Sequence, residues 1–468
     1  PAEGHVFVGW GGSLNGYENP RGIVISGNTT IRAVFKDKYE FVQTANIDKI
    51  KKVFKNNDID INSTDTYGKS LLYHAIEKNN DPKVIEFLLE KGVNPKGMDV
   101  NPLILALSNK ASSKTIKILL KKDVPLNETD ANGNNALHLA LKGEYDFNII
   151  KSLIDKGVYI NSENNNNRSV ISSAIRNNAD FNVINYLLKS GADIYSKVSL
   201  DIATDKIVDI SERNVARKEH GEYFTIADDA TLLMLASIYN NNSKVIKNLI
   251  DSGARVNRQL RLKDYINRRY YSGMTSLMLA AKYNNKKVVE ALLSNGARIN
   301  RTDARGYNAL MYAVSNNDLP VVKTLINNGA NVNSKDDKTS VLMYASRYNT
   351  DPEVIRFLIQ NGAVVNSYNS NSMTPLMYAA GYNNNEKVAK VLLNNGAKIN
   401  EQDQSGQTAL IHAAIGTNNS KVIDVLLENG ADVKIKDENL NLAIDYAAKN
   451  DKIKGSRAYL KLMNKTRK

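Results

Sequence analysis

A phrase of about 33 residues recurs along this chain, and it constrains the fold more than any other feature. Each copy places an apolar residue three positions before a small helical residue, as Leu376 precedes Ala379 in TPLMYAA. The residues that mark the copies are Leu72, Leu103, Leu137, Ile171, Leu200, Leu233, Leu277, Leu310, Leu342, Leu376, Leu410 and Ile444. A period of this length predicts stacked supersecondary units, because one such unit cannot bury its apolar face alone.

The copy that begins at Thr374 shows how one unit is built. Thr374 is a candidate N-cap, and Pro375 suits the first helical turn, where its missing N–H leaves no bond unmade. After a short polar turn, EKVAKVLLNNG at 386–396 has the apolar spacing of a second helix. Gly396 follows where a left-handed residue commonly ends a helix. The ten residues 397–406 are then long enough for a projecting hairpin, which we call the finger.

This pattern resembles the ankyrin repeat family over residues 39–464, most closely in GARINRTDARGYNALMYA at 296–313. The resemblance implies a mainly α fold, an ankyrin-repeat solenoid of helix-turn-helix units with β-hairpin fingers. It also implies a bacterial, non-enzymatic scaffold that binds another protein through a concave face formed by finger tips and first-helix ends. Asparagine and lysine are abundant, and we interpret this as the composition of an AT-rich genome rather than as chemistry.

The repeat spacing breaks between Ile171 and Leu200, a step of 29 residues. The segment 199–211 resembles the shortened last unit of an array, and a polar stretch follows it. We therefore predict two arrays with a break near 212–228, and whether they stack as one solenoid stays open. The predicted domains are a partial β module at 1–38, a first ankyrin array at 39–212 and a second ankyrin array at 213–468.

The first 36 residues alternate apolar and polar positions between glycine and asparagine turns, which predicts strands. EGHVFVGW at 3–10 and NTTIRAVF at 28–35 resemble the C-terminal half of an internalin-type B repeat, a small β-rich module of bacterial surface proteins. The resemblance implies an incomplete module with strands upstream of Pro1 and with Trp10 as core anchor. It suggests a secreted or cell-surface location and a structural or adhesive role, with cytoplasmic and periplasmic locations left open.

The sequence lacks the patterns of several kinds of chemistry. The chain has no cysteine, so disulfides and thiolate metal sites are excluded. Its five histidines never fall at metal-ligand spacing, and YGKS at 67–70 has Ser63 where a phosphate-binding loop needs glycine. We expect no enzyme activity, no metal, no cofactor and no transmembrane segment. By the family resemblance, His138 braces a finger, whereas His412, one place later, is expected to pack between units.

Candidate partner-binding residues follow from the resemblance, which puts finger tips and first-helix ends on the concave face. Tyrosine recurs at one of these positions and suits a contact surface, although simple duplication of a packing residue would leave the same pattern. The phrase GYN at 381–383 is expected to reach this groove, while Tyr312, Tyr344 and Tyr378 are expected to pack. The candidate partner-binding residues are Tyr239, Tyr283, Tyr348, Tyr382, Arg305, Tyr307 and Met373.

The step of 44 residues between Leu233 and Leu277 marks a lengthened finger, with an insertion at 258–272 that is rich in arginine and tyrosine. Arginines and aromatics together can bind acidic peptides, phosphates or single-stranded nucleic acid, and a solvated loop is the plainer alternative. The net charge of +13 permits such partners. Arg305 follows on the next finger, and the predicted basic ridge within 254–305 comprises Arg255, Arg258, Arg261, Lys263, Arg268, Arg269, Arg298 and Arg301.

Overall fold

The computed structural model describes residues 5–12, 31–96, 100–196, 198–201, 225–260, 273–316, 319–336 and 338–467. The chain divides into two compact units, Pro1–Asp193 and Ile194–Lys468. The sequence-predicted break near 212–228 falls largely outside the described residues, and the two predicted array boundaries stay a prediction. Within the described ranges, no helix combines the length and the apolar character needed to cross a bilayer.

The first unit opens with an antiparallel strand pair and continues as paired helices. The strands are β1 His5–Gly12 and β2 Ile31–Asp37. The helices are α1 Lys38–Thr44, α2 Ile47–Asn56, α3 Leu71–His74 (extended by a π-helical turn, Ala75–Asn79), α4 Pro82–Glu90, α5 Pro102–Ser108, α6 Ser113–Leu120, α7 Ala136–Lys142, α8 Phe147–Asp155, α9 Val170–Arg176 and α10 Phe181–Lys189.

The second unit opens with another antiparallel strand pair, again followed by paired helices. The strands are β3 Val198–Asp201 and β4 Thr225–Ala230. The helices are α11 Leu232–Tyr239, α12 Ser243–Asp251, α13 Ser276–Tyr283, α14 Lys286–Ser294, α15 Ala309–Val314, α16 Leu319–Asn327, α17 Val341–Tyr348, α18 Pro352–Gln360, α19 Pro375–Tyr382, α20 Glu386–Asn394, α21 Ala409–Gly416, α22 Lys421–Glu428, α23 Ala443–Ala447 and α24 Arg457–Arg467.

The N-terminal strands occur where the apolar–polar alternation predicts them. The β1–β2 register runs from His5 opposite Asp37 to Gly12 opposite Ile31. The Phe7 ring contacts Trp10 edge-on, with ring centroids 5.2 Å apart. The sheet is tied to the first helix pair, because Asp37 caps α1 by accepting hydrogen bonds from two of its backbone N–H groups. These strands are compatible with a partial B-repeat module, which stays a prediction.

The copy marked by Leu200 does not form a helix at that residue, so this part of the sequence prediction is wrong. Residues 198–201 form β3, which pairs with β4 so that Leu200 lies opposite Ile226. The physical reason is a two-residue period: Val198 and Leu200 alternate with polar neighbours, as in a half-buried strand. The rest of 199–211 lies outside the described residues.

The remaining copies form the predicted two layers of stacked helices. In the second unit the first helices contact one another in chain order from α11 to α23, and the second helices do so from α12 to α24. Leu376 and its counterparts in the stacked units are almost completely buried, whereas Ile444 in the last copy is only half-buried. Thr374 caps α19 through the Met377 N–H at 3.3 Å, and Gly396 has a φ of +84°, both as the sequence predicts.

Asparagine has a structural role that its abundance alone did not indicate. Asn366 accepts a hydrogen bond from the Lys398 N–H and donates one to the Gly396 carbonyl, each 2.9 Å long, so its amide joins two successive fingers. Equivalent pairs of bonds are made by Asn127, Asn161, Asn257, Asn300 and Asn333. These amides pair backbone groups of the following finger, and so fix the spacing of successive fingers at the surface.

Candidate functional site

Four of the predicted contact tyrosines share one structural position. Tyr239, Tyr283, Tyr348 and Tyr382 are each the last residue of a first helix in the second unit, and we call them the tyrosine row. Tyr382 is 50% exposed and the other three are half-buried. The rings therefore leave part of their surface open at the ends of stacked helices.

Arg347 lies within this row and joins two neighbouring repeats. Its guanidinium carbon is 5.0 Å from the ring centroid of Tyr348, in its own helix α17. It is also 5.9 Å from the Tyr378 ring and 4.5 Å from the Tyr382 ring, both in the next first helix α19. All three distances fall within the range in which a cation is attracted to an aromatic face. The three rings thus hold one arginine at the exposed end of the stack.

Arg305 and Tyr307, the candidate contact residues of one finger, belong to a hydrogen-bonded network. The Arg305 guanidinium lies 4.3 Å from the Tyr307 ring centroid and donates to the Tyr312 hydroxyl at 2.8 Å. Tyr312 donates in turn to the buried carboxylate of Asp303 at 2.5 Å. The network holds the finger against the first helix, and only part of Arg305 is open to solvent.

The network continues into the next repeat. The Tyr344 hydroxyl contacts the Tyr307 hydroxyl and lies 2.7 Å from the Asp336 carboxylate. Burial raises the pKa of Tyr312 and of Tyr344 well above the ordinary value of 10.0. Both phenols therefore stay protonated at neutral pH, and Tyr312 keeps the proton that it donates to Asp303.

The tyrosines predicted to pack do so, and they also brace the fingers. Tyr312, Tyr344 and Tyr378 are at most 8% exposed, and each hydroxyl hydrogen-bonds to the finger that precedes its helix. His412 occupies the same place in its repeat, with Nε2 2.8 Å from Asp403 Oδ2. Its role is therefore to brace its own finger as well as to pack. His138 braces the following finger through the Arg168 carbonyl at 2.9 Å, as the resemblance implies.

The remaining candidates of the groove differ in exposure. Met373 is half-buried, and its backbone N–H donates to Asn369 Oδ1 at 2.9 Å. Of the phrase GYN, only Tyr382 reaches the surface. Gly381 and Asn383 are buried, because Gly381 lies against α21 and the Asn383 amide donates to carbonyls of the preceding repeat. The expectation that the whole phrase reaches the groove is wrong for these two residues.

The structure brings three arginines of the predicted basic ridge together. Arg255, Arg258 and Arg301 line a cleft of about 370 Å³ with Asn257 and Gln259, which we call the basic cleft. Its two fingers are joined, because Arg301 donates to Gln259 Oε1 at 2.7 Å. Arg298 is exposed on the second of these fingers. The four other ridge residues lie outside the described residues: Arg261, Lys263, Arg268 and Arg269.

The two ends of the lengthened finger are hydrogen-bonded to each other, at Leu260, Gly273 and Met274, and we call this pairing the neck. The Leu260 N–H donates to the Met274 carbonyl at 2.8 Å, and the Gly273 N–H donates to the Leu260 carbonyl at 2.7 Å. Leu260 and Met274 are both buried. The chain therefore departs and returns at paired positions. Across the described part of the chain, no group of three or more histidine or acidic side chains could hold a metal ion.

The comparisons with known proteins agree with this architecture. The family model described as ankyrin repeats (3 copies) matches residues 39–130, 103–198, 233–336 and 337–454, well over half of the chain. The chain belongs to the ankyrin repeat family. The ankyrin repeats of this chain include the tyrosine row, the network of Arg305 and the fingers that form the basic cleft.

Two similar proteins carry ankyrin repeats as well. An ankyrin repeat protein of Rickettsia bellii (strain RML369-C) is 32% identical over 120 residues, which are 24% of this chain and 17% of the relative. The relative comes from a bacterium, in line with the bacterial origin that the sequence suggests. The crystal structure of the human ASB11 ankyrin repeat domain is 26% identical, with a TM-score of 0.43. The match covers 50% of this chain and 98% of that domain.

Proposed function

We propose that this chain is a non-catalytic scaffold that binds another protein through the tyrosine row of its second unit. Ankyrin repeats generally mediate protein–protein interaction, and the observation that carries the choice of surface is the pair of partly exposed rings, Tyr348 and Tyr382, around Arg347. Tyrosine gives a large contact area and a hydroxyl at a low cost in side-chain entropy. Four first helices, α11, α13, α17 and α19, each end in a tyrosine of this row, which suits an extended partner segment.

The tyrosine row is not needed to form the apolar core between the stacked helices. The buried core is formed by residues such as Leu376 and Ala380, while Tyr382 ends its helix half in solvent. We expect Tyr348→Ala and Tyr382→Ala each to weaken binding to the partner about tenfold or more, as at central interface aromatics. The free energy of unfolding is expected to change by less than about 1 kcal/mol.

The experiment captures a partner on the immobilised full chain, purifies it and measures its affinity for each variant by calorimetry. Tyr159→Ala is the control, because Tyr159 is 65% exposed and belongs to the first unit. Unchanged affinity in both row variants would contradict the proposal. A loss of stability of about 2 kcal/mol or more would instead assign the rings to packing.

The basic cleft favours a second candidate function, which is the binding of a nucleic acid. Arg255, Arg258 and Arg301 converge from two fingers on one concave surface, where guanidinium groups suit phosphate oxygens. In this reading a single-stranded oligonucleotide binds with an affinity that falls steeply as salt is added.

The test removes charge at the cleft while preserving the neck. Arg255→Gln combined with Arg258→Gln is expected to reduce the log–log salt slope by about 0.7 for each phosphate that is no longer neutralised. A variant that replaces 261–272 by Asn-Gly is expected to fold normally, because two linking residues let the Leu260 carbonyl and the Gly273 N–H keep their hydrogen bond as a β-turn. A salt slope for the combined Arg255→Gln and Arg258→Gln variant that equals the wild-type slope would exclude the cleft as the site.

A further inference from the structure

We propose that Arg347 is a carboxylate-binding position, and that the partner docks an acidic side chain of an extended segment onto it. The inference rests on the proposed function and names the chemistry of the partner at that same row. It is carried by three observations on the described residues: the rings that fix the guanidinium, the charges that surround it, and the hydroxyl beside it.

The rings pre-organise the guanidinium. Arg347 is contacted by Tyr348 from its own repeat and by Tyr378 and Tyr382 from the next, at 4.5–5.9 Å from the ring centroids. The rings attract the cation through their faces, and its N–H groups make no hydrogen bond within the described residues, so they are available as donors. An arginine that is already held in place loses less conformational freedom when it binds, and its fork matches the two oxygens of a carboxylate.

The local charges leave Arg347 without an acid of its own. No carboxylate of the described residues lies within ion-pair distance of its guanidinium, 4.0 Å. The finger carboxylates nearby are already engaged inward: Asp303 with Tyr312, Asp336 with Tyr344 and Asp403 with His412. A partner that brings a carboxylate therefore meets a half-exposed cation that has no ion-pair partner of its own within the described residues.

The hydroxyl of Tyr382 supplies a second donor at the same place. Tyr382 is 50% exposed, and its ring is the closest of the three to the Arg347 guanidinium. Its hydroxyl makes no hydrogen bond within the described part of the chain, whereas the Tyr378 hydroxyl accepts one from Asn369 at 3.1 Å. Arg347 and Tyr382 can thus contact one carboxylate together, which separates this position from Arg305, whose guanidinium lies beside Asp303.

The experiment selects peptides on the full chain. Random peptides of about 12 residues, which span roughly 40 Å when extended, are displayed on phage and selected against wild type. The chain carrying both Tyr348→Ala and Tyr382→Ala serves for counter-selection. We expect the row-dependent peptides to share an Asp or Glu at one position. The affinity of the Arg347→Gln variant for the best peptide is then expected to be about tenfold lower than that of wild type. This loss is in the range of a charge-assisted hydrogen-bonded pair.

A double-mutant cycle ties the effect to one contact. Changing the shared acid of the peptide to its amide should weaken binding to wild type about as much as Arg347→Gln does. The two changes together should cost little more than either alone. Arg356→Gln is the control, since Arg356 is about half exposed on α18, the second helix of the same repeat. The peptide-side change also keeps the test valid if Arg347→Gln alters folding.

The outcomes separate this inference from the proposed function. If no peptide survives counter-selection, the tyrosine row does not bind peptides and the proposed function fails with it. Row-dependent peptides that lack a shared acid, or that bind Arg347→Gln as well as wild type, would overturn the carboxylate position while leaving the row as a binding surface.

Discussion

At the scale of single residues, one acidic side chain of the finger, Asp303 in its repeat, organises the local hydrogen bonds. Asp303 accepts hydrogen bonds from the Arg305 and Tyr307 N–H groups at 2.9 Å through one oxygen and binds Tyr312 through the other. Asparagine replaces it in some repeats: Asn369 accepts the Met373 N–H at 2.9 Å and donates to Tyr378. This position therefore requires a side-chain oxygen that accepts hydrogen bonds from the backbone of the finger turn. The oxygen need not carry a negative charge.

Asp130 gives a pH-dependent prediction. Burial would raise its pKa, but hydrogen bonds from the side chain and backbone of Asn134 and the N–H of Asn132 outweigh this and hold the pKa below 3.8. Because the folded-state pKa is depressed, the stabilisation is complete above pH 3.8 and is lost as the pH falls through the folded-state pKa. We expect Asp130→Asn to fold, as Asn164 fills the same place one repeat later, and to lose less stability in acid.

Urea unfolding followed by far-UV circular dichroism across the acid range measures this effect. At neutral pH the variant should lie within about 1 kcal/mol of wild type, since the turn acceptor is kept. Asp123→Asn, at a side chain that is 86% exposed, is the control. Parallel stability curves for wild type and Asp130→Asn would show that this carboxylate does not contribute to acid unfolding.

At the scale of elements, helices α19 and α21 approach each other through glycine. A Cβ built on Gly416 would lie 2.4 Å from the Gly381 carbonyl oxygen, a backbone atom that cannot move aside alone. A Cβ built on Gly381 would lie 3.3 Å from the Cβ and the carbonyl oxygen of His412, a tight but smaller overlap. The interface therefore depends on two missing side chains.

Alanine at these glycines should destabilise the second unit to different extents. We expect Gly416→Ala to cost about 1–3 kcal/mol, the range for overpacking, because the helices must separate. Gly381→Ala should cost less, since its overlap is about an ångström smaller. Chemical denaturation of both variants tests the order. Equal or reversed costs would show that the overlap of the added Cβ with the facing helix does not set the loss of stability.

At the scale of the whole molecule, the chain consists of two units, and the array of the second unit has different elements at its two ends. The β3–β4 pair contacts α11 and buries Val198 to 3% exposure at the start of the second unit. At its other end α24 packs on α22 and α23, and the last marker residue, Ile444, is half-buried. End elements of this kind cover apolar faces that inner repeats cover for one another.

The second unit should fold alone, because it stacks more repeats than the roughly three that suffice for stability. We expect the fragment 229–464 to melt cooperatively as a helical protein by circular dichroism. The fragment 194–468 should melt at a higher temperature, since it keeps β3 and β4 over α11. Burial of a valine such as Val198 contributes about 1.5–3 kcal/mol. A disordered 229–464 fragment would contradict independent folding of the helix pairs, and equal melting temperatures would contradict this role of the strand pair.

The sequence by itself determined the repeat, its helix pairs, its caps and its family, because each of these is encoded locally by spacing and by residue type. Only the tertiary structure decided the roles that depend on a neighbouring copy. The asparagine amides join successive fingers, the Tyr344 hydroxyl contacts the Tyr307 hydroxyl of the preceding repeat, and Arg347 meets the rings of the next repeat. The pairing of β3 with β4 joins strands separated by residues 202–224 in the chain. Partners distant along the chain leave no local periodicity, whereas stacking brings them within bonding distance.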